Sequence, residues 1–71
     1  MTISQRLVLC RSGRRVTQKE VAAAVGISER AYQRYEAEER EPLLSIAVLL
    51  ADYFDVSLDF LVGRSDESGR R

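Results

Sequence analysis

The chain has 71 residues, of which 45% are hydrophobic and 31% charged, with no histidine and one cysteine. A chain of this length forms one domain and buries only about 60% of the surface that its unfolded form exposes. The lone cysteine excludes an intramolecular disulfide, and without histidine we expect neither a metal site nor a cofactor. No apolar run approaches the roughly 18 residues of a membrane-spanning helix, and no signal-peptide pattern is present. We therefore expect a cytoplasmic protein without a membrane partner.

The net charge of zero conceals an uneven distribution. Residues 1–34 carry seven basic and two acidic side chains, a balance of +5. Residues 35–71 carry four basic and nine acidic side chains, a balance of −5. Such a chain can present a positive face to a polyanion while it remains neutral overall. The alternative explanation is that these are ordinary solvated charges. The distribution therefore favours a nucleic-acid partner without establishing one.

Two helices are predicted in the first third of the chain. The first covers residues 3–12 and ends at Gly13 and the arginines that follow it. Its inward face has the helical spacing i, i+4, i+7: Ile3, Leu7 and Cys10. Thr17 and Glu20, three residues apart, predict a capping box for a second helix. Gly26 is suited to the left-handed conformation that ends such a helix.

A third helix is predicted directly after this glycine. Ser28 is an N-cap residue only two positions beyond Gly26. Tyr32 and Tyr35, three residues apart, are expected to face inward as core residues, with charged side chains on the opposite face.

The second half of the chain predicts two more helices and a tail. LLSIAVLLADYF (43–54) has the composition of a fourth helix, and DVSLDFLVG (55–63) predicts a short fifth helix capped by Ser57. RSDESGRR (64–71) lacks large apolar side chains and is expected to be a flexible polar tail. No segment alternates with the period of two that a strand requires.

The second and third helices have the pattern of a helix-turn-helix motif, in which a short glycine-containing turn joins two helices at a steep angle. Ala22, four residues before Gly26, is small where the two helices would cross. In this motif the first helix crosses the DNA backbone, and the second presents its N-terminal residues to base edges in the major groove.

The segment from TQKEVAAAVGISERAYQRYE to EPLLSIAVLLADYFDVSLDFLVG resembles the lambda-repressor and Cro (XRE-type) family of bacterial and phage regulators, over roughly residues 3–63. The resemblance implies an all-α, five-helix lambda-repressor-like DNA-binding domain in residues 1–63. It also implies a sequence-specific transcriptional regulator, a repressor that binds a palindromic operator in double-stranded DNA as a dimer. We expect it to act at the nucleoid.

The resemblance also implies roles for individual residues. The positions that match base-contacting residues, with one neighbouring candidate, are Glu29, Arg30, Arg34 and Gln33. Candidates for contacts with phosphate are Gln18, Lys19, Ser28, Arg14 and Arg40. Arg11 and Glu36 match a salt bridge that joins the first helix to the third. Arginine pairs bidentately with guanine O6 and N7, so Arg30 and Arg34, one turn apart, suit adjacent base pairs.

The fourth helix is apolar on nearly every side, which is typical of a helix buried on two faces. In a chain this small a second subunit is the simplest cover, so we expect a homodimer. The residues expected at its interface belong to the fourth and fifth helices: Leu49, Tyr53, Val56 and Phe60. The alternative is that this helix is central in the fold.

Three features depart from the family pattern. The loop AEEREP after the third helix is acidic where the family has basic or small residues, and only Arg40 could contact phosphate there. Arg15 replaces a frequent glycine, so the first helix would end in a strained conformation unless Gly13 ends it earlier. Leu43 stands at a usual N-cap position, so the fourth helix begins uncapped or uses Ser45.

Two other classes of function are compatible with parts of this sequence. The acidic loop and neutral charge favour a protein-interaction module, or an antitoxin-like partner protein, with the same fold. The short polar tail argues against the antitoxin, and the arginines of the third helix argue against the module. The chain lacks a nucleophile beside a base, paired carboxylates in a cleft and a glycine-rich phosphate loop, so we expect no enzyme and no small-molecule ligand.

Overall fold

The structure is a computed structural model that describes residues 1–69, so Arg70 and Arg71 of the predicted tail lie outside the described residues. Five α-helices follow one another along the chain: α1 (Ile3–Arg14), α2 (Gln18–Val25), α3 (Glu29–Glu36), α4 (Leu44–Phe54) and α5 (Leu58–Leu61). The described residues contain no strand. The prediction of an all-α, five-helix fold is confirmed.

One hydrophobic core connects the five helices. Its fully enclosed side chains come from all of them: Leu7, Val21, Tyr32, Leu50 and Leu61. Helix α4 turns its Ala47, Leu50 and Phe54 inward and packs against α1, α2 and α5. Because all five helices share this core, the orientation of α3 is set by the whole domain.

Helix boundaries follow from local hydrogen bonding. Thr17 and Glu20 form the predicted capping box, with Thr17 Oγ1 accepting from Glu20 N at 3.1 Å. Gly26 ends α2 in the left-handed conformation at φ 78°. Ser28 and Ser57 cap α3 and α5 as predicted. Of the two alternatives for α4, an uncapped start or a cap from Ser45, the structure has the uncapped start, because Leu43 is at the N-cap and no side chain accepts a hydrogen bond there.

The end of α1 corrects one expectation. Gly13 lies inside the helix, which continues to Arg14, and Arg15 is the residue that adopts the left-handed conformation, at φ 55°. The backbone N–H of Arg15 donates to the carbonyl oxygens of Arg11 and Ser12. The strained conformation expected at Arg15 is therefore present, because Gly13 does not end the helix earlier.

The described part of the tail contacts the helices. Gly63, directly before the tail, packs closely against the start of the chain: at φ 86° a Cβ on this residue would clash with the Met1 carbonyl oxygen. Asp66 Oδ1 accepts from Nη2 of Arg6 at 2.9 Å, and Ser57 N donates to the Ser68 carbonyl at 3.3 Å. Arg6 is only 5% exposed, and its guanidinium carbon lies 4.0 Å from the centre of the Phe60 ring. The domain boundary at residue 63 and the flexibility of the tail stay predictions.

No helix within residues 1–69 is long and apolar enough to cross a membrane. The same residues contain no group of three or more side chains that could hold a metal ion.

The left-handed Arg15 makes a prediction about stability. Arg15→Gly should raise the free energy of unfolding by about 0.5–1 kcal/mol, since glycine adopts positive φ without the steric cost borne by other residues. Thermal denaturation should show a midpoint about 3–6 °C higher. Arg15→Ala is the control, because alanine keeps the strain and should give no gain. An equal increase in both variants would show that the arginine side chain, not the backbone, is responsible.

Candidate nucleic-acid interface

A tight turn joins α2 to α3. After Gly26 the backbone N–H of Ile27 donates to the Ala22 carbonyl at 3.0 Å, and α3 begins two residues later, at Glu29. Ala22 is 1% exposed, so the two helices meet where one side chain is a single methyl group. Ser28 Oγ accepts from Ala31 N at 3.1 Å and fixes the first turn of α3. This is the geometry of a helix-turn-helix motif.

A polar cluster of Arg11, Gln18 and Glu36 joins α1, α2 and α3. The two carboxylate oxygens of Glu36 accept from Nε and Nη2 of Arg11 at 2.7 and 3.1 Å. Oε1 of Glu36 also accepts from Nε2 of Gln18 at 3.0 Å, and Nη1 of Arg11 donates to the Val16 carbonyl at 3.3 Å. The structure thus pairs Arg11 with Glu36 as the resemblance implied, and adds Gln18. A bidentate ion pair is strongly directional, so it fixes the end of α3 relative to α1.

The pKa values in this cluster reflect burial and pairing. Burial alone would raise the pKa of Glu36, but hydrogen bonds from Arg11 and Gln18 and the nearby Tyr32 hydroxyl outweigh it and lower that pKa. Hydrogen bonding to Glu36 raises the pKa of Arg11. Burial, and then the adjacent Glu36 carboxylate, raise the pKa of the Tyr32 hydroxyl. That hydroxyl is buried without a hydrogen bond of standard geometry. The cluster therefore keeps its charges over the neutral pH range.

The two faces of α3 differ sharply. Tyr32 and Tyr35 are 0% and 7% exposed and pack edge to face, with ring centres 6.5 Å apart. On the opposite side Arg30 and Gln33 are exposed and Arg34 is half-buried. Glu29 is also exposed, and one of its carboxylate oxygens accepts from Gln33 Nε2 at 3.4 Å. The four predicted base-contacting residues are thus together at the free surface of one helix.

The loop after α3 returns along this free surface. A shallow depression, called here the α3 depression, is formed by Arg30, Gln33, Arg34, Ala37 and Glu39. A separate groove lies between this loop, the start of α1 and the start of α4, and it is lined in part by Glu39, Arg40 and Glu41. Glu39 thus borders both surfaces, and Glu39, not Arg40, lies beside Arg30 and Arg34. The sequence pattern did not identify this position of Glu39.

The five predicted phosphate contacts have unequal surroundings. Lys19 and Ser28 are exposed near the starts of α2 and α3. Gln18 uses one amide N–H for Glu36, which leaves a second for another acceptor. Arg14 donates from Nη2 to the Phe54 carbonyl at 2.9 Å, at the end of α4, and Arg40 faces the groove. Lys19, Ser28 and Gln18 are therefore better placed beside α3 than the two arginines.

The predicted dimer residues divide into two pairs. Leu49 is 44% exposed and Tyr53 is half-buried, so both present surface. Val56 and Phe60 are 9% and 7% exposed and belong to the core of the monomer, so they offer little surface to a second subunit. Helix α4 leaves the apolar side chains of Leu44, Val48 and Leu49 exposed, and Val62, directly after α5, is exposed as well. Helix α4 is thus central in the fold and has a second, uncovered apolar face.

Comparisons with known proteins place this geometry among DNA-binding regulators. The family model described as Helix-turn-helix matches residues 11–61. The chain is 38% identical over 63 residues to the HTH-type transcriptional regulator YobD of Bacillus subtilis, covering 89% of this chain and 56% of that protein. It is also 38% identical over 64 residues to the cryptic phage CTXphi transcriptional repressor RstR of Vibrio cholerae, covering 90% and 57%. The chain thus spans slightly more than half the length of these relatives.

Solved structures show the same fold. The P22 c2 repressor, solved in complex with a synthetic operator, superposes with a TM-score of 0.85 and 23% sequence identity, over 92% of this chain and 98% of that one. The DNA-binding domain of the P22 c2 repressor, solved by nuclear magnetic resonance, gives a TM-score of 0.86 at 24% identity, over 100% and 92%. This likeness establishes the arrangement of the helices.

The polar cluster predicts a pH-dependent loss of stability. Glu36→Gln should lower the free energy of unfolding at pH 7 by about 2–4 kcal/mol, because it leaves Arg11 without its counter-charge. The lowered pKa of Glu36 contributes stability that is present above its ordinary pKa of 4.5 and is lost as pH falls through the folded-state value. Urea denaturation should therefore show a difference between variant and unmodified protein that is constant above about pH 5 and shrinks in more acidic solution.

The exposed Glu67 provides the matched control, since Glu67→Gln makes the same change away from the cluster. It should alter stability by less than about 0.5 kcal/mol. A Glu36→Gln difference that stays constant down to acid unfolding would contradict the role assigned to the cluster.

Proposed function

The chain belongs to the helix-turn-helix family of the lambda-repressor and Cro type, and on this basis we propose that it is a sequence-specific DNA-binding repressor of transcription. The relatives that this domain matches are transcriptional regulators, which supports the expectation that it is not an enzyme. The protein is proposed to bind double-stranded operator DNA with α3 in the major groove. It is further proposed to act at the nucleoid, in the cytoplasm.

The observation that carries this proposal is the exposed polar face of α3. Arg30 and Arg34 are one turn apart on a helix whose other face is buried through Tyr32 and Tyr35. Each guanidinium has the donor geometry that matches O6 and N7 of guanine. The opposite face of α3 packs against α1 and α2, so the face with the arginines is the one that can enter a groove.

Contacts with phosphate are proposed for Gln18, Lys19 and Ser28. All three lie in the first turn of α2 or at the start of α3, where backbone N–H groups and the helix dipole favour an anion. Such contacts set the position of the protein on the duplex, whereas contacts with base edges set the sequence. With few cationic contacts, the affinity should depend on salt only moderately for a DNA-binding protein.

A homodimer is proposed through the outer face of α4. Leu44, Val48 and Leu49 are 70%, 41% and 44% exposed on a helix without a basic residue, and Val62, directly after α5, is exposed as well. Contiguous exposed apolar side chains of this kind mark protein contacts. A two-fold dimer would present two copies of α3 to half-sites about 34 Å apart, which matches a palindromic operator.

The DNA-binding proposal predicts the effect of removing each arginine. Selection from a random-sequence DNA pool should first yield a palindromic operator. Arg30→Ala or Arg34→Ala should then weaken operator binding about 5- to 150-fold, because each loses contacts worth about 1–3 kcal/mol. Fluorescence anisotropy at about 50 and 200 mM salt measures both the affinity and its salt dependence. Arg64→Ala, which removes an exposed arginine far along the chain after α5, is the control and should change binding little.

If the selection enriched no sequence, and binding were weak and independent of sequence, the proposal of a repressor would be rejected. A protein-interaction module with the same fold would then be the remaining candidate.

The dimer proposal predicts a second effect. Val48→Glu should convert the dimer into a monomer, because it introduces a charge into an apolar contact. Analytical ultracentrifugation measures the change in mass, and operator binding should weaken. Val8→Glu makes the same change on α1, at a valine that is 39% rather than 41% exposed, and should leave the dimer intact. An unmodified protein that stays monomeric on and off the operator would exclude this interface.

A further inference from the structure

Glu39 is the one acidic residue of the loop after α3 that borders the base-contacting arginines. It lines the α3 depression together with Arg30 and Arg34 and also borders the groove on the other side of the loop, whereas Arg40 and Glu41 line only that groove. A DNA duplex that approached the free face of α3 would therefore meet the carboxylate of Glu39 beside two guanidinium groups, in addition to the exposed Glu29 of α3 itself.

The backbone fixes this position. Three consecutive hydrogen bonds close the end of α3: Ala37 N to the Gln33 carbonyl at 3.0 Å, Glu38 N to the Tyr35 carbonyl at 3.4 Å, and Glu39 N to the Arg34 carbonyl at 3.0 Å. Glu38 adopts the left-handed conformation at φ 62°, and its carboxylate accepts from Thr2 Oγ1 at 2.9 Å. This ties the loop to the start of α1, so Glu39 is held next to Arg34 rather than on a free strand of chain.

The carboxylate of Glu39 forms no ion pair with any of the described residues. The ion pairs within residues 1–69 join Arg6 to Asp66, Arg11 to Glu36 and Arg64 to Asp59, and none includes Glu39. Its side chain is exposed and accepts no hydrogen bond from the described residues. A carboxylate that is unpaired and solvated beside a DNA-binding face repels phosphate.

We propose that Glu39 is a selectivity residue: it opposes the binding of DNA of arbitrary sequence, so that Arg30 and Arg34 bind productively only where they reach guanine edges. The inference rests on the proposed function. Binding to arbitrary sequence is almost wholly electrostatic, since it depends on cationic side chains that pair with phosphate. A negative charge beside those side chains weakens this mode. Binding to the operator adds base contacts inside the groove, away from the phosphates, and these are less affected.

Glu39→Gln tests the inference, because it removes the charge, keeps the size and breaks no hydrogen bond of the described residues. The matched control is Glu41→Gln, which removes the same charge two residues away, from the other side of the loop. Both variants and the unmodified protein would be titrated by fluorescence anisotropy against a mixed-sequence duplex and against the selected operator. Circular dichroism would verify that all three are equally folded.

Glu39→Gln is expected to strengthen binding to the mixed-sequence duplex about three- to tenfold, with a steeper dependence on salt. Binding to the operator should gain less, so the ratio of the two affinities should fall. Glu41→Gln should change that ratio by less than about twofold. Equal effects of the two variants, or an equal gain on both DNAs, would overturn the inference. If neither the unmodified protein nor Glu39→Gln bound any DNA, the proposed function itself would fail, which is a distinguishable result.

Discussion

The orientation of α3 depends on the bidentate ion pair between Arg11 and Glu36. Glu36 is the last residue of α3, and its carboxylate also accepts from Gln18 at the first position of α2. Three helices are thus joined at one carboxylate whose side chain is 7% exposed. Because the pair is shielded from water, removing one partner costs far more than the loss of a surface ion pair. The exposed face of α3 is held in place from behind by this cluster, at the end of the helix opposite the turn at Gly26.

Burial on one side of α3 and exposure on the other divide its residues between stability and function. Tyr32 and Tyr35 fill the core, whereas Arg30, Gln33 and Arg34 remain free to contact DNA. The chain has no net charge, but its basic residues are concentrated before residue 35, in the part that includes most of α3, and its acidic residues are concentrated after it. Glu39, from the acidic half, lies beside Arg30 and Arg34 of the α3 depression. Selectivity in this account comes from repulsion beside the arginines as well as from their attraction to bases.

Features that depend on neighbouring residues could be predicted from the sequence. Helix ends depend on hydrogen bonds between residues only a few positions apart, so residue type and spacing were sufficient to predict them. This applies to the caps at Thr17, Ser28 and Ser57 and to the left-handed Gly26. Features that depend on distant packing could not be predicted. Three such features are set by residues far apart in sequence: the burial of Val56 and Phe60, the contact of Arg6 with Asp66, and the position of Glu39 beside Arg30. The left-handed Glu38 had no signal either, because glycine is the residue that usually marks this conformation.

Base contact by Arg30 and Arg34 is the central claim, and a double-substitution cycle tests it most directly. Each guanine of the selected operator would be replaced in turn by 7-deazaguanine, which still pairs with cytosine but lacks the N7 acceptor. At one or two positions the unmodified protein should lose affinity about fivefold or more, whereas Arg30→Ala or Arg34→Ala should lose nothing further at the position that its arginine contacts. If every replacement affected the unmodified protein and both variants equally, α3 would not contact guanine through these arginines.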